Sequence, residues 1–233
     1  MSGKAPPPAV RRKQIPHLQR LIGNRAVLRQ VIQRVPGDTA APNPTPVVMP
    51  WTAGALTGIQ LVRLRAETLL FQTFGERIKT ISADAKMNVV QADNDSLKTE
   101  YAKMAYEKKK PDDAATLDDY VKKKDTVYPG TLYGFAYKSQ NTVYVQKNDT
   151  EDNQVITLVH EMLHMNAAGD WQSTVMTDID EGTTELLTKK ACANLKGTKQ
   201  AYGAQMGIVD KLISVVGEGT LVEAYFNGAG IMV

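Results

Sequence analysis

Apolar positions along this chain follow two rhythms, and each predicts a different kind of element. From Ile59 to Ile81 the spacing is helical, with Leu61, Leu64, Leu69, Leu70, Phe71, Phe74 and Ile78 as expected core positions and Gly75 as a weak point. A second helical run extends from Ser96 to Lys110 and stops at Pro111, which cannot continue a helix. The segments Thr131-Leu132-Tyr133-Gly134-Phe135-Ala136-Tyr137 and Thr142-Val143-Tyr144-Val145 are β-branched and aromatic, with polar Lys138-Ser139-Gln140-Asn141 between them, and predict a hairpin. Val155, Ile156, Leu158, Val159, Met162, Leu163 and Met165 then occupy so many faces of one helix that it should be largely buried. Its ends are marked by Thr150 as cap, by Glu151 and Asp152 where the helix dipole favours negative charge, and by Gly169 at the exit. One more helix opens at Asp180, and another runs through Met206, Ile208, Val209, Leu212, Ile213 and Val216 with Tyr202 near its start. The expected class is α+β, mostly helical with a small sheet.

The buried helix carries the chemistry. His160-Glu161-Met162-Leu163-His164 holds two of the chain's three histidines. Four residues advance a helix by about 400°, so both imidazoles project from one face and can offer a nitrogen to one tetrahedral zinc ion. Glu161, about 100° round from His160, can reach water held by that ion. Two hydrogen-bonded core histidines would satisfy the same pattern. Downstream, Glu181 and Glu185 share a helix face. A catalytic zinc takes three protein ligands and one open position, so Glu181 completes a His-His-Glu set, and Glu185 can accept the outer N–H of a ligand histidine. An exposed pair between Glu185 and Lys189 is the rival reading.

His160-Glu161-x-x-His164 followed by Glu181-Gly182-Thr183-Thr184-Glu185 resembles the gluzincin metallopeptidases over residues 130–195. The resemblance implies a zincin-like fold and hydrolysis of peptide bonds in a protein or peptide substrate. It makes His160, His164 and Glu181 the Zn2+ ligands, Glu161 the general base and Glu185 the group that orients a ligand histidine. It also implies an oxyanion donor beyond Glu181; no histidine follows His164, which leaves Tyr202 and then Tyr225. In zincins an edge strand above the metal binds extended peptide, and the strand expected in that role is Thr142 to Gln146.

Charge divides the chain. The first 37 residues hold eight basic side chains and no acid, and nine of the eleven prolines precede residue 51. The organisation expected is a basic amphipathic arm at 1–35, a Pro-rich linker at 36–50 and a peptidase domain at 51–233. Lys108-Lys109-Lys110 and Lys122-Lys123-Lys124 are flanked by acids and read as solvated surface, which argues against nucleic acid as a partner of the body. No apolar run suits a membrane span or a secretory signal, and the single cysteine, Cys192, excludes an internal disulfide and reads as helix packing. The arm alone suits nucleic-acid or anionic-membrane attachment, an organelle transit peptide, or docking to a loading partner.

Leu18-Gln19-Arg20-Leu21-Ile22-Gly23-Asn24-Arg25-Ala26-Val27, followed by Gln33-Arg34, resembles the N-terminal segment of bacterial contractile-injection-system-associated proteins. That resemblance implies synthesis in a bacterial cytoplasm, packaging through residues 1–35 into a phage-tail-like particle, and delivery of the body as an effector or toxin outside the cell or into a target cell. Two other classes fit the same chain: an inactive structural or adaptor component of the particle, and a housekeeping peptidase tethered by its basic arm.

Overall fold

The computed structural model describes residues 58–79, 87–109, 116–169, 171–196 and 202–228, all within one compact unit. The arm, the linker and the apolar tail after Gly228 lie outside the described residues, as does the expected boundary at residues 50 and 51. In chain order the elements are α1 (Ile59–Phe74), a 3-10 turn (Gly75–Arg77), β1 (Asn88–Ala92), α2 (Asn94–Lys109), α3 (Leu117–Lys122) and α4 (Lys124–Val127). There follow β2 (Gly134–Tyr137), a 3-10 turn (Lys138–Gln140), β3 (Thr142–Gln146), α5 (Glu151–Asn166), α6 (Trp171–Thr174), α7 (Thr177–Ala191), α8 (Gly203–Val216) and α9 (Glu218–Asn227). Among the described residues the chain is mostly helical with one three-stranded sheet, an α+β arrangement. Among the described residues no helix is long and apolar enough to cross a membrane.

Helix α1 ends where the sequence is weakest: Gly75 adopts φ 60°, a conformation that favours glycine. Its buried stripe is Val62, Ala66, Leu70 and Phe74, with Ile78 beyond it. The expected contacts Leu61, Leu64, Leu69 and Phe71 are only half-buried, because the i, i+4 row that meets α5 begins at Val62.

Strand β3 lies in the middle of the sheet, paired parallel with β1 and antiparallel with β2. This corrects the expectation that Thr142 to Gln146 forms an edge: β1, whose short Val89-Val90 core carries little local signal, covers its other side. The open edge nearest the histidine helix belongs to β2. The Gln146 amide donates to the Tyr133 carbonyl at 2.7 Å, and this register turns the backbone of Gly134 and Ala136 away from β3.

The sheet lies between α2 and α5. On the α2 side, Leu97, Met104, Leu132, Phe135, Tyr137 and Tyr144 form one apolar cluster. On the other side α5 packs against β2 and β3, and α1 and α7 close over it. Helix α5 begins as its sequence dictates, with Thr150 accepting the Asn153 amide at 3.3 Å and Glu151 and Asp152 in the first turn. Both acids also bind Arg65 of α1, the Asp152 contact at 2.7 Å. Leu158, Val159, Met162 and Leu163 are fully buried, each contributing about 1.5–3 kcal/mol relative to an exposed side chain. The helix ends at Asn166, with Ala167 as its C-cap, two residues before Gly169.

Helix α8 forms over the apolar run that predicts it. Of its apolar residues only Val209 is buried, whereas Ile208 and Val215 are exposed. The buried contact is set by Gly182 of α7, where a Cβ would lie 2.6 Å from the Gln205 carbonyl oxygen and 2.7 Å from Val209.

Candidate metal centre

Helices α5 and α7 cross so that three donors converge. The Nε2 atoms of His160 and His164 lie 3.2 Å apart, and the Glu181 Oε2 lies 3.3 Å from the first and 3.4 Å from the second. Donors about 2.0–2.1 Å from a tetrahedral ion sit about 3.3 Å from one another, so this near-equilateral triangle is the spacing three ligands of one ion require. The group could hold a metal ion. A hydrogen bond between the two imidazoles alone would not bring the carboxylate oxygen equally close to both.

The outer nitrogens are held by α7. His160 Nδ1 lies 3.5 Å from Glu185 Oε2 and 3.4 Å from Thr188 Oγ1. His164 Nδ1 lies 3.4 Å from Asp180 Oδ2 and 3.5 Å from Thr184 Oγ1. Both rings therefore turn Nε2 inward. Asp180 is held in turn by the Trp171 indole, whose Nε1 donates to it at 2.9 Å. Thr184 and Thr188 donate to the carbonyls one turn back, each at 2.8 Å, which fixes their rotamers.

Glu185 is buried against His160 rather than exposed on the surface. One oxygen faces His160 while the other lies 3.7 Å from the more exposed Lys189. Asp180, Thr184 and Thr188 were not singled out from sequence. The signal was present in their i, i+4, i+8 spacing, which puts the three on one helix face.

Electrostatics without an ion show how tightly these groups are coupled. Burial lowers the His164 pKa, but Asp180 and Glu181 outweigh it and push it up to about 10. His160 is also raised: burial opposes the shift, and Glu181 and Glu185 drive it. Burial favours neutral Glu181, yet the two histidines hold its carboxyl far below the usual range. Glu161, in contrast, is raised by burial despite both histidines, the direction a proton acceptor working near neutral pH needs.

Glu161 lies under β2, where its carboxylate accepts the Ala136 amide. Gly134 makes this approach possible, since a Cβ there would stand 2.5 Å from Thr157 Cγ2, 2.7 Å from the Tyr144 carbonyl oxygen and 3.6 Å from Glu161 Cγ.

The two candidate tyrosines separate clearly. The Tyr202 ring stacks on His160 with centroids 5.3 Å apart and planes 7° apart, and its hydroxyl is within hydrogen-bonding range of Glu181. Its backbone is left-handed, φ 65°, a costly conformation for a tyrosine and one that recurs at functional sites. Tyr225 is fully buried behind α7, with its hydroxyl 2.9 Å from Thr184 and its ring edge-on to Trp171. Its place is structural. Cys192 is likewise buried at the end of α7, its thiol pushed up to about 12 by burial and Glu185, which makes it an inert packing group.

Comparison with known proteins gives no match to a protein family, to a curated protein or to a solved structure.

Proposed function

We propose that this protein is a zinc-dependent endopeptidase of zincin-like fold. The observation that carries the reading is the triangle of His160, His164 and Glu181 donors, 3.2–3.4 Å on each edge and backed by a carboxylate behind each histidine. His160, His164 and Glu181 would hold a zinc ion, which would supply a Lewis acid for the scissile carbonyl and activate water for attack. Glu161, its pKa raised by burial, would take a proton from the attacking water and deliver it to the leaving amine. The Tyr202 hydroxyl donates to the oxyanion. The outward-facing backbone of Gly134 and the carbonyl of Ala136 would pair with an extended peptide, so that β2 takes the role expected of an edge strand.

The biological setting rests on the arm. Its resemblance to injection-system segments supports packaging through residues 1–35 and a role for the body as a bacterial effector delivered to a target cell.

Elemental analysis of wild type, His160→Ala and Glu161→Gln, paired with cleavage of a degenerate peptide library, tests the catalytic reading. One zinc per chain is expected, lost in His160→Ala and retained without cleavage in Glu161→Gln. Protein that neither contains nor takes up zinc would rule the reading out; zinc without proteolysis under any condition would favour the inactive adaptor. Co-purification with assembled particles, lost on deletion of residues 1–35, tests the loading role. Binding to DNA that weakens steeply with salt and needs the arm would point to the tethered peptidase instead.

A further inference from the structure

Behind His164 the support runs one residue deeper than the carboxylate. The two oxygens of Asp180 are divided: Oδ2 lies 3.4 Å from His164 Nδ1, and Oδ1 accepts the Trp171 indole N–H at 2.9 Å. Both residues are buried, Asp180 to 8% exposure and Trp171 to 4%. The terminal torsion of an aspartate is broad, so its backbone does not fix the plane of the carboxylate. A donor on Oδ1 fixes it, and leaves Oδ2 aimed at the imidazole. Behind His160, Glu185 turns its second oxygen toward the charge of Lys189 at 3.7 Å. The indole N–H is neutral, so it orients Asp180 while leaving the charge of the carboxylate to His164.

Trp171 is itself held in place. Its amide donates to the Ala168 carbonyl at 3.0 Å, and the Ala168 amide donates to the Tyr225 carbonyl of α9 at 2.8 Å. Its ring meets that of Tyr225 edge-on, with centroids 5.3 Å apart. The Tyr225 hydroxyl lies 2.9 Å from Thr184 Oγ1, which lies 3.5 Å from His164 Nδ1. Helices α6 and α9 therefore brace the same ring nitrogen by two routes.

We propose that Trp171 is a positioning residue for the metal, setting the plane of the Asp180 carboxylate and through it the orientation of His164. The inference rests on the metal-binding part of the proposed function and is independent of proteolysis. Packing against Tyr225 needs only the aromatic ring, whereas positioning needs the N–H. Trp171→Phe separates the two.

The test measures zinc affinity by chelator competition, and the visible spectrum of the cobalt(II)-loaded protein, in full-length wild type, Trp171→Phe, Asp180→Ala and the double variant. Trp171→Phe should weaken zinc binding about tenfold, the lower end of the range for groups that support a ligand from behind. It should also shift the cobalt bands, which report ligand geometry. In the Asp180→Ala background the same change should cost about twofold or less, because the acceptor through which Trp171 acts is gone. Unchanged zinc affinity or unmoved cobalt bands in Trp171→Phe, or an equal loss in both backgrounds, would overturn the proposal. If Asp180→Ala does not fold, the cobalt bands of Trp171→Phe decide, since a packing defect lowers stability without moving them. Wild type that binds neither ion would overturn the metal centre and the proposal together; wild type that binds both, with no change in Trp171→Phe, would overturn the proposal alone.

Discussion

Tyr202 lies parallel to His160, with ring centroids 5.3 Å apart, although it sits outside the helices that carry the ligands. The stack and the hydroxyl are separable. Tyr202→Phe keeps the ring on His160 and removes only the donor, so bound zinc should be unchanged while kcat falls about a hundredfold, the scale of losing one oxyanion donor. Steady-state kinetics with metal analysis on the same samples checks this. A fall of about threefold or less would leave Tyr202 a packing role only.

Asp180 has a different job, because its carboxylate touches His164 Nδ1 at 3.4 Å and lies behind the ring. Replacing it with asparagine keeps the shape and the Trp171 contact but removes the charge that makes the imidazole a better ligand. Zinc affinity should drop about 10–100-fold, the range for such supporting carboxylates. Competition with a chelator of known affinity measures it, and an unchanged dissociation constant would show that Asp180 only anchors Trp171.

The contrast between these residues shows what the sequence makes legible. His160, Glu161 and His164 are visible because a ligand pair on one helix needs a fixed spacing, and Glu181 and Glu185 because their own spacing repeats it. Asp180 escaped because a carboxylate next to Glu181 looks like ordinary first-turn charge until α5 is brought against it. The hairpin of β2 and β3 was readable from β-branched and aromatic runs either side of a short polar turn. Strand β1 was not, since its partner is more than fifty residues away and its pairing is parallel; that one missed strand moved the edge from β3 to β2. Apolar content predicts helix α8 but does not say how many of its faces a neighbour covers, and Gly182 admits only the face around Val209.

Gly134 tests whether the close approach of β2 to α5 matters. An alanine Cβ would collide with Thr157 Cγ2 at 2.5 Å and with the Tyr144 carbonyl oxygen at 2.7 Å, and the second contact is backbone that cannot rotate away. Gly134→Ala should therefore cost about 1–3 kcal/mol of stability and lower kcat/KM by shifting Ala136 relative to Glu161. Pairing it with Thr157→Ser removes the methyl and should restore only part of the loss, because the carbonyl clash persists. Denaturant unfolding of the two variants distinguishes the outcomes; full recovery in the pair would show that the side-chain contact alone sets the spacing.

The last prediction follows from the proton that zinc must displace. In the metal-free protein the His164 pKa is pushed up to about 10 by Asp180 and Glu181 against the effect of burial. A raised folded-state value means that the protonated ring stabilises the metal-free fold fully below the unfolded histidine value of about 6.5, and that this contribution is lost as pH rises through about 10. Zinc needs the neutral ring, so its binding competes with that proton. Affinity should rise with pH across this window, by about tenfold per unit for each proton released, and faster where the raised His160 is also displaced. Because a ligand of the folded state stabilises in proportion to the logarithm of its concentration over Kd, the Tm gain from zinc should widen between about pH 6.5 and about pH 8.5. Scanning calorimetry at one buffered free-zinc concentration reads this directly. A gain that stays constant or shrinks would mean that His164 is already neutral in the metal-free protein, and that Asp180 does not hold a proton on it.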